Sequence, residues 1–199
     1  DWSGGVGWSQ ATATDPEVPD TAVSPRNDTA YNVLARLTHT MGRIVTQTTA
    51  AATWFKFGNL DLGGLGTEDN EDRDYVAPAV GLRVGYQMSE AVQPFVEVTY
   101  APRLHDQNVD RNGLRRDSQG VVIRSGVTFN DGAIWSGEVA ARYEYRDYED
   151  ATLASQSALG MDANVSWNPT QLTTVQFSAA SQIEESSDPL VSGATNWTA

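Results

Sequence analysis

Residues 135–146 read WSGEVAARYEYR, and the order of those twelve letters decides the fold. The odd positions are Trp135, Gly137, Val139, Ala141, Tyr143 and Tyr145; the even ones are Ser136, Glu138, Ala140, Arg142, Glu144 and Arg146. Residues two apart share a face of a strand, whereas a helical face returns every three to four positions. One face of this segment is therefore apolar and the other charged, as a strand requires. Its neighbours keep the same parity. Leu159, Met161, Ala163, Val165 and Trp167 alternate with Gly160, Asp162, Asn164 and Ser166, and Val121, Ile123, Ser125, Val127 and Phe129 alternate with Val122, Arg124, Gly126 and Thr128. Val175, Phe177 and Ala179 oppose Gln176 and Ser178. Weaker alternation runs through Val80, Leu82, Val84 and Tyr86, and through Tyr31, Val33, Ala35 and Leu37. The stretch from Arg43 to Phe57 is strand by its Thr, Val and aromatic content, with its facing left open.

About nine strands follow, at 1–12, 30–40, 43–57, 74–88, 94–104, 119–130, 133–147, 158–168 and 172–184, a spacing common to β-sandwiches and β-barrels. The connections separate the two. Short turns at Met41-Gly42, at 89–93, at Asn130-Asp131-Gly132 and at Asn168-Pro169-Thr170 alternate with long loops at about 13–29, 58–73, 105–118, 148–157 and 185–195. Asn, Asp, Gly and Pro supply the backbone angles of tight turns. Most of the 26 acids fall in or beside the long loops, Glu68, Asp69, Glu71, Asp72 and Asp74 among them. A sheet threaded up and down, with short turns at one end and long acidic loops at the other, is the plan of an antiparallel transmembrane β-barrel. A Greek-key sandwich lacks that regularity.

Composition narrows the field further. The 199 residues fit one domain spanning 1–199, and 26 acids against 13 basic residues leave a net charge of -13. No basic face exists to neutralise phosphates, so nucleic acid is excluded as a partner. The absence of cysteine excludes disulfides, iron–sulfur clusters and thiolate zinc sites, and no apolar run near 20 residues supplies a membrane helix. No basic and apolar leader begins at Asp1, so any signal peptide is already removed or lies outside the record.

Aromatic placement agrees with a barrel. Tyr86, Phe129, Trp135 and Trp167 share the apolar parity and lie close to short turns, while Trp54, Tyr100, Tyr143 and Tyr145 lie toward the long loops. Six of them, Tyr86, Phe129, Trp135, Tyr143, Tyr145 and Trp167, read as lipid-facing girdle residues. At a rise of about 3.3 Å per residue and a tilt of roughly 40°, Trp135 and Tyr145 stand about 25 Å apart along the membrane normal. The opposite face carries Arg36, Arg83, Glu97, Arg124, Glu138, Arg142, Glu144, Arg146, Asp162 and Glu184. Of these, Arg83, Glu97, Arg124, Glu138, Arg142, Glu144 and Asp162 are the candidate lumen-lining set. Charges at mid-strand need water or partners, so the lumen is expected to be polar. Arg124 and Glu138 are each seven residues from Asp131, and a hairpin centred there sets them opposite each other as an ion pair. Either these groups line a pore and bias which solutes pass, or they pair off and fill the interior.

Four stretches also resemble a known family: GLRVGYQMSEAVQPFVEVTYAPRLHD (81–106), DRNGLRRDSQGVVIRSGVTFN (110–130), SGEVAARYEYRDYEDATL (136–153) and ANVSWNPTQLTTVQFSAASQIEESS (163–187). They are similar to the outer membrane proteins of the "putative beta-barrel porin 2" type, found mainly in alphaproteobacteria. The most specific element is Trp167, Pro169, Thr170, Leu172, Thr173 and Thr174. The resemblance implies a barrel in the bacterial outer membrane, of presumed porin type. Its partners would be outer membrane lipid and lipopolysaccharide, with other protein chains as further candidates. It carries over no catalytic residue, metal or cofactor. Barrels of that type are longer and bacterial single-chain barrels have even strand numbers, so the nine strands read as part of a larger barrel. The end, Asn196-Trp197-Thr198-Ala199, lacks the usual terminal aromatic, and an open edge in lipid would cost several kcal/mol per unpaired amide.

Other constellations are weak. Asn108, Asp110, Asn112 and Gly113 imitate the start of a calcium loop, but the twelfth position is Gln119, and Arg111, Arg115 and Arg116 crowd it. His39 lies near a short turn and His105 at a long loop, too far apart for one site, and no G-x-S-x-G element is present. No enzyme is expected. The expectation is a porin-like passive channel for small hydrophilic solutes. The alternatives are an anchoring barrel with a filled lumen that binds a partner through its loops, and a soluble β-sandwich adhesin or sugar-binding module.

Overall fold

The computed structural model describes residues 1–12, 27–61, 63–132, 134–170, 172–185 and 193–198. Among them ten long strands form one antiparallel sheet: β1 (Trp2–Thr12), β2 (Asn27–Met41), β3 (Ile44–Lys56), β4 (Tyr75–Tyr86), β5 (Val92–Tyr100), β6 (Ser118–Asn130), β7 (Trp135–Tyr148), β8 (Gln156–Thr170), β9 (Thr173–Glu185) and β10 (Gly193–Thr198). Each pairs with its neighbours in sequence, so the chain runs up and down, with β1 and β10 at the two ends of the path. The loops expected at 13–29 and 185–195 fall largely outside the described residues.

Local chemistry explains the connections. Met41 pairs with Ile44 across the two-residue turn Gly42-Arg43, and Gly42 takes φ +59, a left-handed angle that costs glycine nothing. Within the sheet, a Cβ on Gly126 would lie 2.2 Å from the Val139 carbonyl oxygen and 2.7 Å from the Ala140 Cα. Only a residue without a side chain lets β6 and β7 close on each other there.

One sequence expectation needs correction, a tenth strand joins the nine expected, and one open point is settled. Asn168, Pro169 and Thr170 are not a turn but the end of β8, where the register slips between Trp167 and Thr170; an irregularity of this kind is where a strand tolerates proline. A tenth strand, β10, stands at 193–198 and pairs with β9. Its sequence, GATNWT, is too short and polar to show a period, and tertiary pairing recruits it. The open facing of residues 43–57 is settled by register: Tyr31, Ala35 and Leu37 oppose Trp54, Ala50 and Thr48, so the even positions of β3 join the apolar face.

That apolar face is the exposed one. Leu82 is 52% exposed, Val98 45% and Leu159 78%, and Trp8, Tyr31, Val96, Ile123, Val139 and Phe177 are exposed beside them. Among the described residues no second layer covers these groups. A water-soluble sheet of this size would leave an apolar patch far larger than monomers tolerate. The sheet is inside-out relative to a soluble fold, as a transmembrane barrel wall is, with its polar groups gathered on the other face.

Candidate functional site

The polar face owes its order to the register. Glu97 on β5 lies directly opposite Arg83 on β4 and Arg124 on β6, so one carboxylate sits between two guanidinium groups. Arg83 Nη1 is 2.7 Å from Glu138 Oε2 and 3.6 Å from Glu97 Oε2, and its Nη2 donates to Thr128 Oγ1 at 2.6 Å. Thr128 in turn donates to Glu138 at 3.1 Å. Arg124 uses all three of its nitrogens: Nη1 donates to Glu97 at 3.1 Å, Nη2 to Glu138 at 2.6 Å and Nε to Asp162 at 2.7 Å. Arg142 donates to Glu144 at 2.8 Å and lies 3.6 Å from Asp162, and Arg146 reaches Glu144 at 3.5 Å and donates to Ser118 Oγ at 3.0 Å.

All seven candidate lumen-lining residues, Arg83, Glu97, Arg124, Glu138, Arg142, Glu144 and Asp162, thus fall into one ladder across β4 to β8, which Arg146 completes. Four arginines meet four carboxylates. Taking eight charges from water is costly, and planar, many-partnered guanidinium bonding is what offsets that cost. One detail differs from expectation. The register sets Arg124 opposite Arg142 and Glu138 opposite Thr128, because the β6–β7 hairpin centres two residues beyond Asp131. The Arg124–Glu138 pair still forms, but on the diagonal, and Asp162 separates the two facing arginines. The side chain of Glu184 lies outside the described residues.

Two groups escaped the sequence reading. Phe95, an apolar residue at polar-face parity, is 3% exposed and carries the Arg83 guanidinium 3.4 Å from its ring centroid. Thr128 was read only as a polar-face residue, and its bridging role follows from register. Beside the ladder the concave face opens into a cavity of about 640 Å³, lined by Arg36, Gln47 and Thr49 on one side and by Arg83, Glu97, Arg124 and Glu138 on the other.

The comparisons with known proteins agree with this geometry. The family model described as "Putative beta-barrel porin 2" matches residues 2–199. The chain belongs to that family. No curated protein and no solved structure matches it. Within this family member the convex face holds the six girdle candidates. Trp135 and Trp167 stack, with centroids 5.3 Å apart and planes at 13°, while Tyr86, Tyr143 and Tyr145 are exposed singly and Phe129 is half-buried. At the long-loop end, register aligns Trp8, Tyr31 and Trp54 across β1 to β3, a row that the sequence reading did not see as one belt.

Among the described residues, the loops at 58–73, 105–118 and 148–157 form a knit cap rather than solvated tips. Arg111 bonds Glu68, Asp72, Asn70 and the Asp69 carbonyl, joining the 101–117 segment to the 57–74 segment. Arg115 binds Glu149 at 3.0 Å, and Lys56 reaches Asp74 and Asp106 at 3.0 and 2.5 Å. The Arg111 guanidinium holds the Asp72 carboxyl below the ordinary carboxylate range. Burial works to raise Asp110, but Arg116 and the amides of Leu114 and Asn112 outweigh it and the carboxyl ends lowered. The calcium-like stretch is thus an Asp-centred turn closed on Arg116. His105 packs on Tyr75 and faces Asp117 at 3.2 Å, while His39 is exposed at the other end of the sheet.

Proposed function

We propose that the protein is an outer membrane channel that passes small hydrophilic solutes passively. One observation carries the reading: an exposed apolar face and a charged, concave face with a cavity of about 640 Å³ are opposite sides of the same strands. Lipid on one side and water on the other satisfy both. Two buried ladder atoms, Arg142 Nε and Asp162 Oδ1, find no protein partner, and a water-filled interior supplies one. Lipid and lipopolysaccharide as the surroundings are supported by the solvent contact of the convex face and by the acidic loops. Single-channel recording of the full-length protein in a planar bilayer tests the reading. Discrete conductance steps support it, and their absence at every voltage defeats it.

A barrel filled at the loop end is the second reading, and it has its own support. Inward residues there, Glu144, Arg146, Tyr148 and Ser118, are all less than 9% exposed, as are Arg116 and Leu153 in the adjoining loops. On this reading the protein anchors a partner through its cap, and the bilayer stays silent.

A further inference from the structure

We propose that Arg36 makes the β2–β3 side of the interior a strip that attracts small anions, solutes bearing a carboxylate, sulfate or phosphate group. The inference rests on the channel reading above and names the solute class that the channel takes.

The argument is one of charge that is spent and charge that is not. Arg83 and Arg124 border the cavity, but both are bound to Glu97 and Glu138, and the remaining ladder arginines are matched by Glu144 and Asp162. To a solute, that wall is nearly neutral. Arg36 borders the same cavity, and its neighbours across the sheet are Ser3 and Thr49, both uncharged. Among the described residues it makes no ion pair and no hydrogen bond. It is exposed and borders the cavity on the concave side, with Gln47 and Thr49 as neutral donors on the adjacent strand. Counting the cavity lining, three arginines, Arg36, Arg83 and Arg124, face two glutamates, Glu97 and Glu138, and the surplus positive charge is Arg36. Uncompensated arginines lining a pore select anions.

The acidic loops do not cancel this charge. Arg36 is five residues from Met41 at the short-turn end and nine from Asn27 at the loop end. At about 3.3 Å per residue and a tilt of roughly 40°, the loops begin about 23 Å away, more than two screening lengths at 0.1 M salt.

The test is the reversal potential of the full-length channel in a KCl gradient near 0.1 M. A unit charge about 4 Å from a passing ion in water raises the local chloride concentration roughly fivefold and lowers that of potassium by the same factor, so the chloride-to-potassium permeability ratio should fall by up to about 25-fold in Arg36→Gln and further in Arg36→Glu. Arg36→Lys should keep the wild-type ratio, and Glu71→Gln in the loop cap should leave it unchanged. Heat-modifiable migration on gels confirms that each variant is a folded barrel. Conductance steps with one ratio in wild type, Arg36→Gln and Arg36→Glu overturn the assignment of Arg36 while the channel stands. An absence of steps from the wild type overturns the channel reading and this inference with it.

Discussion

Replacing Arg124 by alanine removes the centre of the ladder. Three charge-assisted contacts disappear, to Glu138 at 2.6 Å, Asp162 at 2.7 Å and Glu97 at 3.1 Å. Glu138 keeps Arg83 at 2.7 Å, but Asp162 is left with Arg142 at 3.6 Å and Glu97 with Arg83 at 3.6 Å. The three carboxylates are 16 to 24% exposed, so water recovers part of the loss. Truncating one member of a fully buried pair costs about 3–5 kcal/mol and an exposed pair less than about 1. Between those limits, Arg124→Ala should cost about 2–4 kcal/mol. Urea unfolding of the full-length protein in lipid vesicles, followed by tryptophan fluorescence, measures it. A double-mutant cycle with Glu138→Gln should show a coupling of about 1 kcal/mol or more. Arg124→Lys should recover only part, because an ammonium cannot meet three acceptors in one plane. A cost under about 0.5 kcal/mol, or strict additivity with Glu138→Gln, would refute the ladder as a stabilising unit.

Further outcomes follow from the same geometry. Val127→Arg, on the convex face, should destabilise the barrel in vesicles by about 2–4 kcal/mol, whereas the same change at Ser125, equally outward but further along the strand, scales with its depth. Arg111→Ala should open the 57–74 loop to protease while shifting the urea midpoint little, since its partners lie in the cap and not in the wall. The cap should also be acid-labile. Asp72, Asp110 and Asp150 are all lowered from the ordinary carboxyl value near 3.8, Asp150 to about 2 by the Thr152 hydroxyl and amide. Groups depressed in the folded state stabilise it above the unfolded value and lose that effect as pH falls through the folded one. Hydrogen-exchange protection in 57–74 and 101–117, measured relative to the intrinsic rate at each pH, should therefore be high at pH 5 to 7 and be lost between about pH 4 and 2; protection unchanged down to pH 2 would contradict it.

The alternation in 135–146 was enough to separate the two faces, because facing follows from parity alone. Register was not legible: parity cannot tell that β6 and β7 centre two residues past Asp131, so Arg124 was set opposite Glu138 instead of diagonal to it. Phe95 was hidden for a related reason. An apolar residue among polar-face positions carries no signal until Arg83 is seen stacked upon it. The loop cap was invisible too, since Arg111 finds Asp72 across 39 positions of sequence and nothing local announces that pairing. β10 lacked both length and period. What sequence alone resolves here is what repeats every two residues; what it misses depends on contacts between strands.

The central claim is that Val, Leu and Trp on the convex face meet acyl chains. Nitroxide labels placed singly at positions 138 to 143 of the full-length protein in lipid vesicles test it directly. Labels at 139, 141 and 143 should collide readily with oxygen and poorly with a water-soluble nickel chelate, with the opposite balance or steric protection at 138, 140 and 142. A flat profile, or odd positions shielded from oxygen by protein, would contradict it.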